Sequence, residues 1–271
     1  MMAIRAAVFD IDGTLAMMDK DSGTYTALPG AIKALKTLSA RMPVVAYTNG
    51  TFFPPAHYYP LLADAGLHLA PGHILTPATV AAQQLAKQYK RVMVLGAEGT
   101  KVPLRDAGID VVDAAPGAGK VDAVLIGWTK DFGAADLEAA AQAVWAGARV
   151  YATSVAPYFA SAKGRMLGIS GAIAAAIHNA TGTKAVVFGK PEVAGLDMVA
   201  ALTGVAQADM AVIGDDPNLE ITMARRAGAF AIGVTTGIAE LAAFNAIDEC
   251  LRAHHVIASL EGLAFQDWFT K

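Results

Sequence analysis

The feature that most constrains this chain is a recurring unit, in which a short apolar run stops at a polar turn. Ile4 to Phe9 stops at Asp10-Ile11-Asp12-Gly13-Thr14, and Pro43 to Tyr47 stops at Thr48-Asn49-Gly50. Ala185 to Phe188 stops at Gly189-Lys190-Pro191, and Met210 to Ile213 at Gly214-Asp215-Asp216. Apolar runs of this length without polar alternation read as strands buried on both faces, and strands alternating with helices make a parallel sheet. The ligand crevice of an open α/β sheet lies outside the carboxyl ends of its strands. Four turns scattered along the chain are therefore expected to converge on one edge.

Between these turns the chain reads as alternating strands and helices. Ala16 to Leu28 is polar and is expected to be a loop or small hairpin beside the acidic turn. Pro29 to Met42 carries Ile32, Leu35 and Leu38 at helical spacing, and Pro55 to Gly66 reads as a helix with Gly66 as its C-terminal cap. Thr76 caps and Pro77 opens a helix to about Tyr89. Strands are expected at Val92 to Leu95, Ile109 to Val112, Ala123 to Ile126 and Val150 to Thr153, with a helix from Ala134 to Ala146. This block has no carboxylate-rich turn of its own, so it reads as an inserted domain that closes over the site without performing chemistry. The expected division is core 1–76, insert 77–184 and core 185–271. A helix from Pro217 to Ala227, a strand from Phe230 to Val234 and a tail with at most a short Val256-Ile257 strand complete the pattern.

Composition narrows the function classes. With 55% apolar and 17% charged residues over 271, the chain is expected to be a well-buried α/β protein. Its net charge of −3 gives no global attraction for nucleic acid or an acidic membrane surface, so an anion site must be built locally. Cys250 is the single cysteine, which excludes an internal disulfide. No cationic-then-apolar leader opens the chain, and no uncharged apolar run reaches the roughly 18 residues of a spanning helix. The expectation is a soluble, cytoplasmic protein.

The turns carry a specific chemical inventory. Asp10 and Asp12, at i and i+2 of an extended segment, point the same way, and two such carboxylates need a cation or a shared proton between them. Carboxylates suit a hard cation such as Mg²⁺, which takes oxygen ligands and keeps several waters. The Thr48 hydroxyl, the Asn49 amide and the Lys190 ammonium suit phosphoryl oxygens. Carboxylates, lysine and metal together describe phosphoryl transfer.

These four turns, in this order, resemble the haloacid dehalogenase-like hydrolase superfamily: the Asp10 to Thr14 turn matches its first motif, Thr48 its second, Lys190 its third, and Gly214-Asp215-Asp216 with Glu220 its fourth. Thr48-Asn49-Gly50, Thr76-Pro77-Ala78-Thr79, Gly127-Trp128 and the Gly164 to Ile173 region resemble the NagD-like and p-nitrophenylphosphatase-like subfamily. The resemblance implies a Rossmann-like parallel-sheet core with an inserted α/β cap of the C2 type. It implies Asp10 as nucleophile, Asp12 as general acid and base, and Mg²⁺ held by the Asp10 carboxylate, the Asp12 backbone carbonyl and Asp215. Thr48, Asn49, Gly50 and Lys190 would hold the phosphoryl group, with Lys190 also paired to Asp10. Either Asp216 or Glu220 would support the metal shell, the sequence not choosing between them. In the cap, Tyr158, Lys163 and Arg165 are candidates to reach the leaving group, although a solvated face is the ordinary place for the two basic side chains. The implied substrate is a small phosphorylated metabolite, and capped relatives imply a homodimer through the cap.

A rival class is a regulatory domain that accepts or binds phosphate without turnover. Receiver domains carry their phosphorylated Asp on a later strand than the acidic pair and have no insert, whereas Asp10 opens this chain. Other features read as structural. His57, His178, His254 and His255 have no zinc-ligand spacing, Gly96 to Gly99 lacks the Walker pattern, and Trp128 and Trp145 are expected in the cap core.

Overall fold

The computed structural model describes residues 4–19, 21–159 and 166–264. The chain opens with β1 (Ala6–Phe9), a hairpin of β2 (Ala16–Asp19) and β3 (Thr24–Ala27), α1 (Ala31–Ser39), β4 (Val44–Tyr47), α2 (Pro55–Asp64) and β5 (Ile74–Leu75). The hairpin follows directly from the acidic turn, where the Ile11 carbonyl accepts from the Leu15 and Ala16 amides at 3.0 and 2.9 Å and turns the chain back on itself. α1 buries Ala31, Ala34, Leu35 and Leu38, the i, i+3, i+4, i+7 stripe of a helix lying on a core. Gly66, just beyond α2, has φ +81°, the left-handed conformation a glycine supplies at a helix end.

After α3 (Pro77–Leu85) the chain builds a second sheet from β6 (Arg91–Leu95), α4 (Glu98–Asp106), β7 (Asp110–Asp113), β8 (Ala123–Ile126), α5 (Ala134–Trp145) and β9 (Arg149–Ala152). A short antiparallel pair, β10 (Tyr158–Phe159) with β11 (Met166–Leu167), leads into α6 (Ile169–Thr181) and β12 (Val186–Val187). The last part holds α7 (Ala194–Thr203), β13 (Met210–Gly214), a single π-turn at Pro217–Ile221, α8 (Thr222–Arg226), β14 (Phe230–Val234), α9 (Leu241–Asn245) and β15 (His255–Ile257).

The two sheets are each wholly parallel. The first has the order β15-β14-β13-β1-β4-β5 and the second β12-β9-β8-β6-β7. In the first, the chain runs from β1 to β4 on one side and places β13 on the other, so β1 stands at the point where strand order reverses. That is where an open α/β sheet leaves its crevice. α3 is sandwiched between the sheets: one apolar cluster joins Val8 and Val45 of the first, Val80, Ala81 and Leu85 of α3, and Val92 and Leu125 of the second.

One placement corrects the sequence reading. The strand before Lys190 was expected in the first sheet, yet β12 pairs with β9 in the second, Val186 opposite Tyr151 and Val187 opposite Ala152. A strand, a crossover helix and a parallel strand in the same sheet form the ordinary βαβ connection, and β9-α6-β12 is one. The expected division after residue 184 thus falls before a strand that still belongs to the second sheet. Smaller differences are that α3 ends at Leu85, that α4 begins at Glu98 within the Gly96 to Gly99 stretch, and that the helix expected from Pro217 begins as a π-turn. Among the described residues no helix is long and apolar enough to cross a membrane.

Candidate active site

The crevice at the carboxyl ends of β1, β4 and β13 is lined by Asp10, Asp12, Thr48, Asn49, Gly50 and Lys190, joined by Asp215, Asp216, Glu220 and Tyr158. Parallel pairing puts Phe9 level with Ala46 and Ile213, and the Asp10 amide donates to the Ile213 carbonyl at 2.9 Å, so the ladder runs up to the first carboxylate. Lys163 and Arg165 lie outside the described residues.

Lys190 is the hub. Its ammonium pairs with Asp10 Oδ1, lies 2.6 Å from Glu220 Oε1 and donates to the Tyr47 carbonyl at 2.9 Å. Its main chain is held as well: the Lys190 amide donates to Asn49 Oδ1 at 2.9 Å and Asn49 Nδ2 donates to the Lys190 carbonyl at 3.0 Å. The Asn49 amide, expected to face phosphoryl oxygens, thus spends a donor and an acceptor on the lysine-bearing turn. Thr48 Oγ1 accepts from the Gly50 amide at 3.0 Å, which fixes the turn after β4.

Glu220 reaches the lysine. One oxygen pairs with Lys190 and the other accepts from the Asp216 amide at 3.0 Å. Gly214 makes room for it, since a Cβ at 214 would overlap Glu220 Cγ and Cβ. Asp216 caps the π-turn, accepting from the Asn218 amide at 2.8 Å. Asp215 accepts from the Ile238 amide at 2.7 Å and lies against Gly13 and Gly237, where a Cβ at either position would overlap its Oδ2. Gly13 also has φ +93°. The Thr236 hydroxyl donates to the Gly13 carbonyl at 2.6 Å and closes the turn.

The electrostatics of this cluster are unbalanced. Asp10, Asp215, Glu220 and Lys190 are the only buried charged residues among those described. With all three ionised, three carboxylates against one ammonium would leave two uncompensated negative charges. Burial pushes the Asp10 carboxyl up to about 7 against the lowering pull of Lys190, with the Glu220 charge adding to the rise. Burial and the charges of Glu220 and Asp10 hold Asp215 well above the carboxylate range, and burial with Glu220 lifts Asp216 to about 6. Burial alone would lower Lys190, but Asp10 and Glu220 outweigh it and keep the side chain a firm cation.

A divalent cation fits this arrangement. Its charge matches the excess of two, and the side-chain-free faces of Gly13 and Gly237 form a cradle around Asp215 that a Cβ would fill. No set of three or more His, Cys, Asp or Glu side chains in metal-holding arrangement occurs among the described residues.

Several residues of the crevice were given no site role in the sequence reading. Trp128, expected in the cap core, lines the crevice with Phe52 and Phe159. Ring centroids are 4.3 Å apart for Phe52 and Trp128 and 5.7 Å for Phe52 and Phe159. Gly99 at the start of α4 permits this, because a Cβ there would overlap the Thr51 carbonyl. Ile238 and Gly237 were missed too, although Thr235-Thr236-Gly237 follows β14 in the same strand-then-polar-turn design as the other four.

Comparison with known proteins agrees with this architecture. A family model described as haloacid dehalogenase-like hydrolase matches residues 7–110, and one described as HAD-hydrolase-like matches residues 187–263. The chain is 30% identical over 237 residues to the bovine haloacid dehalogenase-like hydrolase domain-containing protein 2, covering 87% of this chain and 85% of that one. It is 28% identical over 258 residues to the dihydroxyacetone phosphatase of Corynebacterium glutamicum, covering 94% and 89%. The fold is similar to that of a glycerol phosphate phosphatase from Mycobacterium tuberculosis crystallised with magnesium, with TM-score 0.85, 26% identity and coverage of 96% and 76%. The chain belongs to the haloacid dehalogenase-like hydrolases.

Proposed function

We propose that this protein is a Mg²⁺-dependent phosphomonoesterase acting on a small phosphorylated metabolite through an aspartyl-phosphate on Asp10. The observation that carries this reading is the pairing of a buried Asp10 with Lys190 beside a second buried carboxylate, Asp215, at one strand edge. The names of the relatives, a dihydroxyacetone phosphatase and a glycerol phosphate phosphatase, support the substrate class.

In the first step an Asp10 carboxylate oxygen attacks phosphorus while the ester P–O bond breaks, and Asp12 gives its proton to the departing oxygen. In the second, Asp12 takes a proton from water as that water attacks phosphorus. The P–O bond to Asp10 breaks and phosphate leaves. Asp10 must be ionised to attack, and the Lys190 ammonium against it favours that form. Thr48 and the Asn49-Gly50 turn would hold the transferring oxygens, and Lys190 would offset their charge. The Asp10 and Asp215 carboxylates and the Asp12 backbone carbonyl would hold Mg²⁺, whose chemistry here is neutralisation and orientation of phosphoryl oxygens. The half-buried Asp12 side chain would stand outside that metal shell and carry the proton.

The test is phosphate release from a panel of sugar, glycerol and dihydroxyacetone phosphates with and without Mg²⁺. Release is expected from at least one, abolished by chelation and by Asp10→Asn. Tight binding of these compounds without phosphate release would favour the regulatory alternative.

A further inference from the structure

We infer that Asn49 is a positioning residue for this reaction, acting through the Lys190 main chain and not by side-chain contact with the phosphoryl group. The inference rests on the proposed phosphatase reading and adds to it the device that places the lysine.

Lys190 follows a strand of the second sheet, yet its ammonium serves the carboxylates of the first. A lysine reached that way has no ladder of its own to fix its height above Asp10. The Asn49 side chain supplies one: its amide meets both the N–H and the C=O of residue 190, at 2.9 and 3.0 Å, as a neighbouring strand would. Asn49 itself is fixed two residues after β4, whose Tyr47 carbonyl takes one Lys190 ammonium proton. Tyr47 adds a third tie, its hydroxyl donating to the Phe188 carbonyl at 3.1 Å.

Space around the turn agrees with a clamp. A Cβ on Gly189 would overlap the Thr153 carbonyl at the end of β9 and lie 2.7 Å from Asn49 Oδ1. The turn is therefore gripped between the end of a second-sheet strand and the amide that follows β4. Only glycine at 189 lets both approach. Asn49 thus joins two sheets at the residue that needs both, and its loss would free the lysine backbone while leaving Thr48 in place. Displacing a charge-neutralising group by about 1 Å costs on the order of 100-fold in rate.

The test is a crystal structure of the wild-type protein with Mg²⁺ and inorganic phosphate, together with a mutant cycle. The structure is expected to keep the Asn49 amide on the Lys190 main chain, with phosphate oxygens on other groups. An amide swung onto a phosphate oxygen would overturn the inference. In the cycle, Asn49→Ala is expected to lower kcat/KM by about 10- to 100-fold and to weaken inorganic phosphate binding. In a Lys190→Met background the same change is expected to leave phosphate binding within about twofold. A loss of equal size in both backgrounds would mean direct contact. Should Lys190→Met fail to fold, the wild-type structure decides alone. Absence of any phosphate binding by wild type counts against the phosphatase reading, whereas binding with a reoriented amide counts against Asn49 alone.

Discussion

Glu220 Oε1 lies 2.6 Å from the Lys190 ammonium, while its second oxygen accepts from the Asp216 amide. The fourth motif's acid therefore serves the lysine and the turn above β13 together. A glutamine supplies one acceptor where two donors need one each. Glu220→Gln is expected to lower unfolding stability by about 1–3 kcal/mol, measured by urea denaturation. The Glu220 charge also helps raise Asp10. Its removal should move the acid limb of kcat/KM to lower pH, and a limb that moves upward would contradict the assignment.

The excess of buried carboxylate predicts how the metal-free protein responds to pH. Asp10 titrates near 7 when folded against an ordinary 3.8, and Asp216 near 6, so the folded state holds protons that the unfolded chain has lost. Stability must then fall as pH rises from about 4 to about 7, because the unfolded state binds fewer protons over that window. Thermal melting in EDTA is expected to show this decline, and added Mg²⁺ to raise the melting temperature more at pH 7.5 than at pH 5. A melting temperature that climbs over that interval without metal would be inconsistent with it.

Gly237 provides a way to disturb the cation cradle without removing a carboxylate. A Cβ at 237 would overlap Asp215 Oδ2, so Gly237→Ala must push the carboxylate aside. We expect Mg²⁺ affinity to drop by about 10- to 100-fold with the fold retained, read by calorimetric titration and circular dichroism. Unchanged affinity would remove Asp215 from the metal site.

Trp128 offers a binding readout, since it lines the crevice and packs on Phe52. Saturation with a substrate-sized phosphate ester is expected to change tryptophan emission, and Trp128→Phe to abolish the change. A response that survives the substitution would place the ligand elsewhere.

Much of this arrangement could be read from the chain. The strands at Ala6–Phe9, Val44–Tyr47, Ala123–Ile126 and Phe230–Val234 are buried runs, and burial on both faces leaves a plain apolar signature. The acidic turn alone could be an ordinary Asp-Gly turn, and it is legible as chemistry only beside the three other polar turns at strand ends. Sheet membership was not legible for Val186–Val187, because a strand's own residues do not record which partner its crossover delivers it to. The partner of Asn49 was hidden for a related reason: a side-chain amide suits a phosphoryl oxygen and a peptide group equally well, and only the fold decides. The choice between Asp216 and Glu220 as metal support stays open in the sequence, because side-chain length alone does not reveal that Glu220 pairs with Lys190.

In the proposed reaction the phosphoryl group passes through Asp10, and mass spectrometry of a rapidly acid-quenched turnover mixture reads that passage. With Asp12→Asn and a nitrophenyl phosphate, whose leaving oxygen needs no proton, only the hydrolytic step loses its base, so the peptide holding Asp10 is expected to carry one phosphoryl group, and Asp10→Asn to carry none. Continued phosphate release with no label on that peptide, or a label on another residue, would rule out an aspartyl-phosphate on Asp10.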